Sequence, residues 1–352
     1  MLPFAMGRAY SAVADDWLAL HYNPAGLAVV EGVDFQILDA KLGVSSDAVN
    51  NFGEYKKLGS SGSDAQKLTA LSGKRVHANL GNVTQLTIPK FAVALVYDNR
   101  VDFDNRNQVY PQIRVRNTLD TGFVTGIGVG VGRANNRQKA LRLGMSLKYL
   151  KRRGGVKDLT VANISNNTKA LLDQFQATGW GLGATFGMQY QLPVSGRAEY
   201  TISFVYHDIG NTSFGSFSQK DRPTPIEQNM TTGFAMRFPI GGSVNRRAAR
   251  RFGQPRSTNH LTMTAEYSHL NIGTDREHLP KHLHFGLNLD LPIISLQAGW
   301  NQTSPTFGLS LDLSALRVSA ASYAEDIGGY GGQIRDRRYL ISVGTGFGFS
   351  QL

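Results

Sequence analysis

His282-Leu283-His284-Phe285-Gly286-Leu287-Asn288-Leu289-Asp290-Leu291 alternates without a break. Leu283, Phe285, Leu287, Leu289 and Leu291 fall on one side, and His282, His284, Asn288 and Asp290 on the other, with Gly286 between them. In an extended chain successive side chains point to opposite faces, so this stretch reads as a strand with one apolar and one polar face. The pattern returns at 141–149, 180–192, 261–268 and 339–349. A soluble sandwich would also alternate. Two features favour a membrane wall instead. Tyr149, Trp180, Tyr190, Tyr267, Trp300, Tyr339 and Phe349 sit near the ends of the apolar faces, as an interfacial girdle requires. The strands also run to about ten residues or more, the length a tilted strand needs to cross a bilayer.

Working outward, the alternation predicts fourteen strands: 33–44, 79–88, 90–103, 111–132, 140–153, 179–192, 199–210, 229–240, 259–271, 281–291, 293–302, 304–313, 314–325 and 338–350. The expected fold is all-β, a transmembrane antiparallel barrel over 31–352 with the segment 1–30 as a plug or hatch in its lumen. Connections then alternate between long loops and short turns, the long ones outside and the short ones on the periplasmic side. Ile88-Pro89, Leu192-Pro193, Phe238-Pro239 and Leu291-Pro292 all fall on the short-turn side. Proline cannot donate to a ladder, so it belongs at strand ends. The stretches 48–58, 65–71 and 159–175 read as short amphipathic helices in the outer loops.

Composition agrees with this reading. The 352 residues include 39 Gly and no Cys, which excludes disulfides and cysteine metal sites. No apolar run reaches the roughly 18 residues of a membrane helix. A mean hydropathy typical of soluble proteins is expected of a barrel, because only alternate residues meet lipid. Met1 to Met6 is too short for a signal-peptide core, so export to a bacterial outer membrane implies that a signal has been removed. The formal charge is +11, and its local concentration is Arg246, Arg247, Arg250, Arg251 and Arg256 in the one long inner connection. Without interleaved aromatics or a nucleic-acid fold signal this is not a nucleic-acid surface. It is a solvated loop or a partner-binding loop.

Residues 7–28 break the alternation. They are rich in small residues and end in the turn Asn23-Pro24-Ala25-Gly26. Inward glycines of the strands, among them Gly126, Gly128, Gly144, Gly181, Gly183, Gly187, Gly344 and Gly346, leave room for such a segment. Gly7-Arg8-Ala9-Tyr10, Ala14-Asp15-Asp16 and Asn23-Pro24-Ala25 resemble the mature N-terminus of the FadL-like outer-membrane superfamily. That group holds fatty-acid and aromatic-hydrocarbon transporters and the PorV-like barrels of a secretion system. The resemblance is specific over about 22 residues and architectural beyond them. It implies a hatch-blocked barrel with Asp15, Asp16, Asn23, Pro24 and Ala25 in the hatch and its turn. In the fatty-acid transporters a kinked third strand opens a lateral window. The third strand here lacks Gly and Pro, and only Asp98-Asn99-Arg100 disturbs it.

Among the inward charges, Arg142, Lys148, Arg237 and Arg317 oppose Glu266, Asp290 and Asp312. They read as a network that holds the hatch, or as a site for an anionic head group, since guanidinium forks match carboxylates. His278, His282 and His284 with Glu277 could be metal ligands, but the spacing is equally that of a polar strand end. Neither a Gly-x-Ser-x-Gly elbow nor a His-Glu-x-x-His motif occurs, so no enzyme, cofactor or metal is expected. The expected function is uptake of hydrophobic or amphipathic small molecules such as fatty acids, gated by the hatch. The alternative is a PorV-like scaffold barrel in a secretion, motility or envelope complex. The partners expected are outer-membrane lipids and lipopolysaccharide, a hydrophobic ligand and, for the alternative, an envelope protein.

Overall fold

The computed structural model describes residues 2–53, 75–105, 112–132, 140–160, 177–193, 198–215, 222–240, 250–251, 254–255, 259–271, 278–313, 315–328 and 330–350. Fourteen strands span the wall: β1 Gly32–Ser45, β2 Arg75–Ile88, β3 Phe91–Asn105, β4 Gln112–Val131, β5 Leu141–Thr160, β6 Thr178–Gln191 and β7 Glu199–His207. They continue as β8 Asn229–Pro239, β9 His260–Tyr267, β10 Leu283–Asp290, β11 Ile294–Asn301, β12 Ser304–Leu313, β13 Leu316–Asp326 and β14 Arg335–Ser350. Each pairs antiparallel with its sequence neighbours, and β1 closes on β14 from Gly32–Ser350 to Ser45–Arg338. Closure leaves no edge, which is the condition for a sheet to cross lipid.

The outer surface is what the alternation predicts. Phe285, Leu287, Leu296, Trp300, Phe307, Ile341 and Phe347 are exposed, while Asn288, Asp290, Gln297 and Ser342 on the same strands are buried. Phe123, Tyr149 and Trp180 form an aromatic row across β4, β5 and β6, with ring centroids 5.7 and 5.0 Å apart. The four apolar-proline pairs all lie on one rim, called here the proline rim; the opposite one is the long-loop rim.

Several boundaries differ from expectation, for local reasons. The stretch 111–132 is one strand, as predicted, but β5 runs on to Thr160 instead of stopping at 153. Gly154 adopts φ +96° and keeps the ladder going, so Gly154-Gly155 is not the turn it resembles. Leu159 and Thr160 are therefore strand and not helix. In the first outer loop a short helix covers Ser46–Asn50, with the Ser45 hydroxyl accepting from the Ala48 N–H. Residues 54–58, 65–71 and 161–175 of the predicted loop helices lie outside the described residues. The ninth strand ends at Tyr267, before the left-handed His269 (φ +58°). Leu279–His282 is a 3-10 turn, so His282 does not share a strand face with His284.

The third strand carries no kink. Its ladders with β2 and β4 are unbroken from Phe91 to Asp104, so the strand opens no lateral window of the kind found in the fatty-acid transporters, in line with its lack of Gly and Pro. The irregular wall is β1, where the register slips between Gln36 and Leu38. The resulting bulge is tied by Thr84 Oγ1 to the Ile37 carbonyl (2.8 Å) and by the Asp39 N–H to Asn82 Oδ1 (3.1 Å).

The wall is uneven in height. β4 and β5 have 20 residues each, whereas β9, β10 and β11 have 8.

Candidate functional site

Residues 2–30 lie inside the barrel. Helix α1 covers Leu2–Ala5, α2 Ala19–Tyr22, and a 3-10 helix Pro24–Val29. Asn23 caps that last helix by accepting from the Ala25 N–H (3.1 Å), and Pro24 occupies its first turn, where a missing N–H costs nothing. Gly7 and Arg8 are both left-handed and turn the chain between α1 and Ala9.

The wall accommodates this segment by omitting side chains. A Cβ at Gly128 would lie 2.5 Å from the Ala28 nitrogen, and one at Gly299 2.6 Å from the Gly7 nitrogen. At Gly144 it would fall closer still, on the carbonyl carbon of Pro24 and the nitrogen of Ala25. Gly126, Gly187, Gly286 and Gly308 meet Leu20, Asn23, Met6 and Ala5 in the same way. Four glycines expected to serve this purpose do something else. Gly181 and Gly183 make room for Phe214 and Thr212, from a loop that folds into the lumen beside β6. Gly344 and Gly346 make room for Gln36 of the neighbouring strand.

Polar bonds then fix the segment around the barrel. Glu266 on β9 accepts from the Tyr10 N–H (3.1 Å), the Ser11 N–H (2.9 Å) and the Ser11 hydroxyl (2.7 Å). Gln189 on β6 donates to the carbonyls of Ser11 and Ala14 (3.0 and 3.1 Å), and Gln85 on β2 donates to that of Trp17 (2.6 Å). His284 Nδ1 lies 2.9 Å from the Gly7 carbonyl, and its Nε2 lies 2.9 Å from the Ser268 hydroxyl. With the proton on Nδ1, the ring donates to Gly7 and accepts from Ser268. Near the long-loop rim Arg8 pairs with Glu325, which also meets Arg338 at 2.5 Å. Arg338 continues to Asp336 (2.7 Å), and Arg100 bonds Asp102 (2.7 Å). This network was absent from the sequence reading, although strand alternation already places Arg100, Asp102, Glu325 and Arg338 on inward faces.

The residues singled out in the sequence fall in three places. Asn23 and Ala25 are fully buried, and Asn23 Nδ2 donates to the carbonyls of Ser11 (2.9 Å) and Met188 (3.2 Å). Asp16 accepts from the Leu18 N–H (3.0 Å) and the Tyr10 hydroxyl (3.1 Å), and Asp15 pairs with Arg237 at 2.7 Å. Arg142 and Arg237 border a common cavity with Asp15 and Glu199, whereas Arg317 borders another. Arg142 donates to Gln189 and Gln191, Lys148 pairs with Asp208 at 2.5 Å, and Arg317 meets Asp312 at 3.4 Å. In the basic loop, Arg250–Arg251 pairs with Gln254–Pro255 as a short hairpin, while Arg246 and Arg247 lie outside the described residues. His282 stacks on Tyr267 (5.3 Å between centroids), and His278 meets the Tyr330 ring edge-on.

The lumen is two-sided. Toward β2–β4 and β8 the inward face carries an apolar patch: Val83, Ala92, Ala94, Val124 and Ala235 are buried under the segment's Tyr10, Trp17, Leu18, Leu20 and Leu27. Toward β10–β13 and β1 it is polar, with Asn288, Asp290, Gln297, Asp312 and Asp39 facing Asp16 and Trp17 across a cavity of about 50 Å³.

No protein-family model and no curated protein matches the sequence. Solved structures do match. The deltaS2S3 mutant of the monoaromatic hydrocarbon channel TodX is similar over 99% of this chain and 98% of its own, with 13% identity and a TM-score of 0.51. The chain has the TodX fold. The CymD monoaromatic hydrocarbon channel (11% identity, TM-score 0.45, 99% and 97% of the two chains) also matches. So does the toluene transporter TbuX of Ralstonia pickettii (11%, 0.45, 98% and 97%). At this identity what is shared with TodX is the architecture.

Proposed function

We propose that this chain is an outer-membrane barrel that takes up hydrophobic or amphipathic small molecules, with residues 2–30 as the hatch that gates it. The observation that carries this reading is the apolar inner wall. Barrel lumens are ordinarily polar, yet Val83, Ala92, Ala94 and Val124 face inward beneath the hatch. When the hatch swings away, an apolar track is uncovered along β2–β4. Fatty acids and monoaromatic hydrocarbons are the candidate cargo. The likeness to TodX, whose name records a monoaromatic hydrocarbon channel, supports the architecture of such a path.

The track gives a direct test. Val124→Asp places a carboxylate on it, and burying an unpaired charge costs several kcal/mol. Uptake of radiolabelled toluene or oleate by cells producing this variant is expected to fall at least tenfold, with surface levels of folded barrel unchanged. Undiminished uptake of both would overturn the apolar track.

The pivot is assigned to Asn23-Pro24-Ala25, because this turn is wedged against Gly144 and Gly187. Pro24→Gly frees φ at the pivot. It is expected to change the uptake rate several-fold while the barrel keeps its heat-modifiable migration on gels; an unchanged rate counts against this pivot.

A further inference from the structure

The outer surface of β4–β6 presents two cations that the lumen does not use. Along β5 the outward residues are Leu141, Leu143, Met145, Leu147 and Tyr149, followed by Lys151 and Arg153. Tyr149 belongs to the row Phe123–Tyr149–Trp180, and beyond that row the neighbouring strands turn polar at Thr121 and Thr178. Aromatic rows of this kind mark the boundary between hydrocarbon and head groups. From Leu141 to Tyr149 the strand rises roughly 20 Å, at about 3.4 Å per residue and a tilt near 40°, which nearly fills the apolar band of about 25 Å. Lys151 and Arg153 then stand about 5 and 10 Å above the aromatic row, at the level of head-group phosphates.

Both cations are exposed, and neither forms an ion pair among the described residues. Arg152 between them points inward and pairs with Asp120 at 2.6 Å. Arg337, an outward cation on β14, donates to the Pro305 carbonyl (2.9 Å) and so braces the wall. Lys151 instead lies over the Trp180 ring, its Nζ 5.4 Å from the centroid, and Arg153 stands opposite Leu119 and Thr178. Unpaired cations over an aromatic shelf complement a phosphate carried above acyl chains. We propose that this face binds one molecule of lipopolysaccharide, with Lys151 and Arg153 on a phosphate of its lipid A and the acyl chains laid along Leu147, Met145 and the aromatic row. The long-loop rim is the outer one, so the lipid is that of the outer leaflet. The β4–β5 ladder also continues to Gln112 and Thr160, roughly 18 Å above Arg153, and offers a wall for a sugar core that a phospholipid head would leave bare. This assignment uses the orientation of the barrel and is independent of the hatch.

The test is native mass spectrometry of the full chain in detergent, titrated with rough lipopolysaccharide. The wild type is expected to retain one molecule. Lys151→Gln with Arg153→Gln should weaken retention at least tenfold, since each cation near an anionic surface adds to the attraction. Lys90→Gln removes an exposed cation from the opposite, proline rim and should bind as the wild type does. Dephosphorylated lipopolysaccharide should bind the wild type as weakly as the intact lipid binds the double variant, and equimolar phosphatidylglycerol should not displace the intact lipid. Should the double variant not fold, as judged by gel migration, Arg153→Gln alone reads the same contact with a smaller loss. Undiminished retention by the folded variants, an equal loss in Lys90→Gln, or equal binding of the dephosphorylated lipid would each overturn the proposal. Displacement by phosphatidylglycerol would overturn it in favour of an ordinary anionic phospholipid. Toluene uptake by the double variant is expected to stay at the wild-type level, so failure of this site and failure of the uptake reading are separate results.

Discussion

Glu266→Ala is expected to detach residues 9–12 from the wall. The carboxylate accepts three hydrogen bonds from Tyr10 and Ser11, two of them from main-chain N–H groups that have no helix or strand to return to. A buried hydrogen bond is worth about 0.5–1.5 kcal/mol net, and a donor left unsatisfied in a buried place costs about 1–3 kcal/mol. A net loss of about 3 kcal/mol corresponds to a little over a hundredfold in the opening equilibrium. Amide exchange at Tyr10 and Ser11 should accelerate by that order, while amides in the β8–β9 and β9–β10 ladders keep their protection. Gln189, which holds the carbonyls of the same stretch from β6, limits the detachment to this side. Glu266→Gln should fall between the two, because an amide keeps one accepting oxygen. Exchange at Tyr10 that is no faster in Glu266→Ala would show that the carboxylate does not restrain the segment.

The second large effect is expected from Gly144→Ala. Its Cβ would overlap the carbonyl group of Pro24 and the nitrogen of Ala25, main-chain atoms that cannot rotate away. Either the β5 wall or the 3-10 helix must move. The wall is held by a 20-residue ladder to β4 and a 13-residue ladder to β6, so the helix yields. Overpacking of this kind costs about 1–3 kcal/mol, and more when backbone must shift. The expected product is a folded barrel with an extruded N-terminus. Limited proteolysis should cut within residues 7–30 and leave the remainder intact. Gly215→Ala is the matched control, since nothing lies within 4 Å of its added carbon. A Gly144→Ala protein as resistant as this control would mean that the segment is not wedged against β5.

How much of this was legible follows from what each signal depends on. Strand alternation depends on position alone, so Leu283 to Leu289, and the proline pairs at one rim, were readable. The packing of the N-terminal segment was partly readable. Inward glycines announce space, but Gly144 and Gly181 carry the same signal and admit different tenants, the Pro24 turn and Phe214. The four inward cations could be placed on faces but not paired, because partner choice depends on strand stagger and on loops. Lys148 finds Asp208 in a loop, and Arg237 finds Asp15 in the segment. The apolar inner wall was visible in principle. Phe91 to Tyr97 is apolar on both faces, which a strand with a polar lumen side does not require. The bulge in β1 is marked too, because the apolar phase runs through Val33, Phe35 and Ile37 and then switches to Leu38, Ala40, Leu42 and Val44.

The uneven wall acts on the surrounding lipid. At about 3.4 Å per residue and a tilt near 40°, a 20-residue strand rises roughly 50 Å and an 8-residue strand roughly 20 Å. The hydrocarbon layer is about 30 Å thick. Beside β4–β5 the membrane meets wall to spare, whereas beside β9–β11 it meets too little and must pinch toward the protein or let the barrel lean. Acyl chains there are shortened and disordered relative to their neighbours, so the barrel carries a built-in soft spot in the bilayer on the side of Glu266.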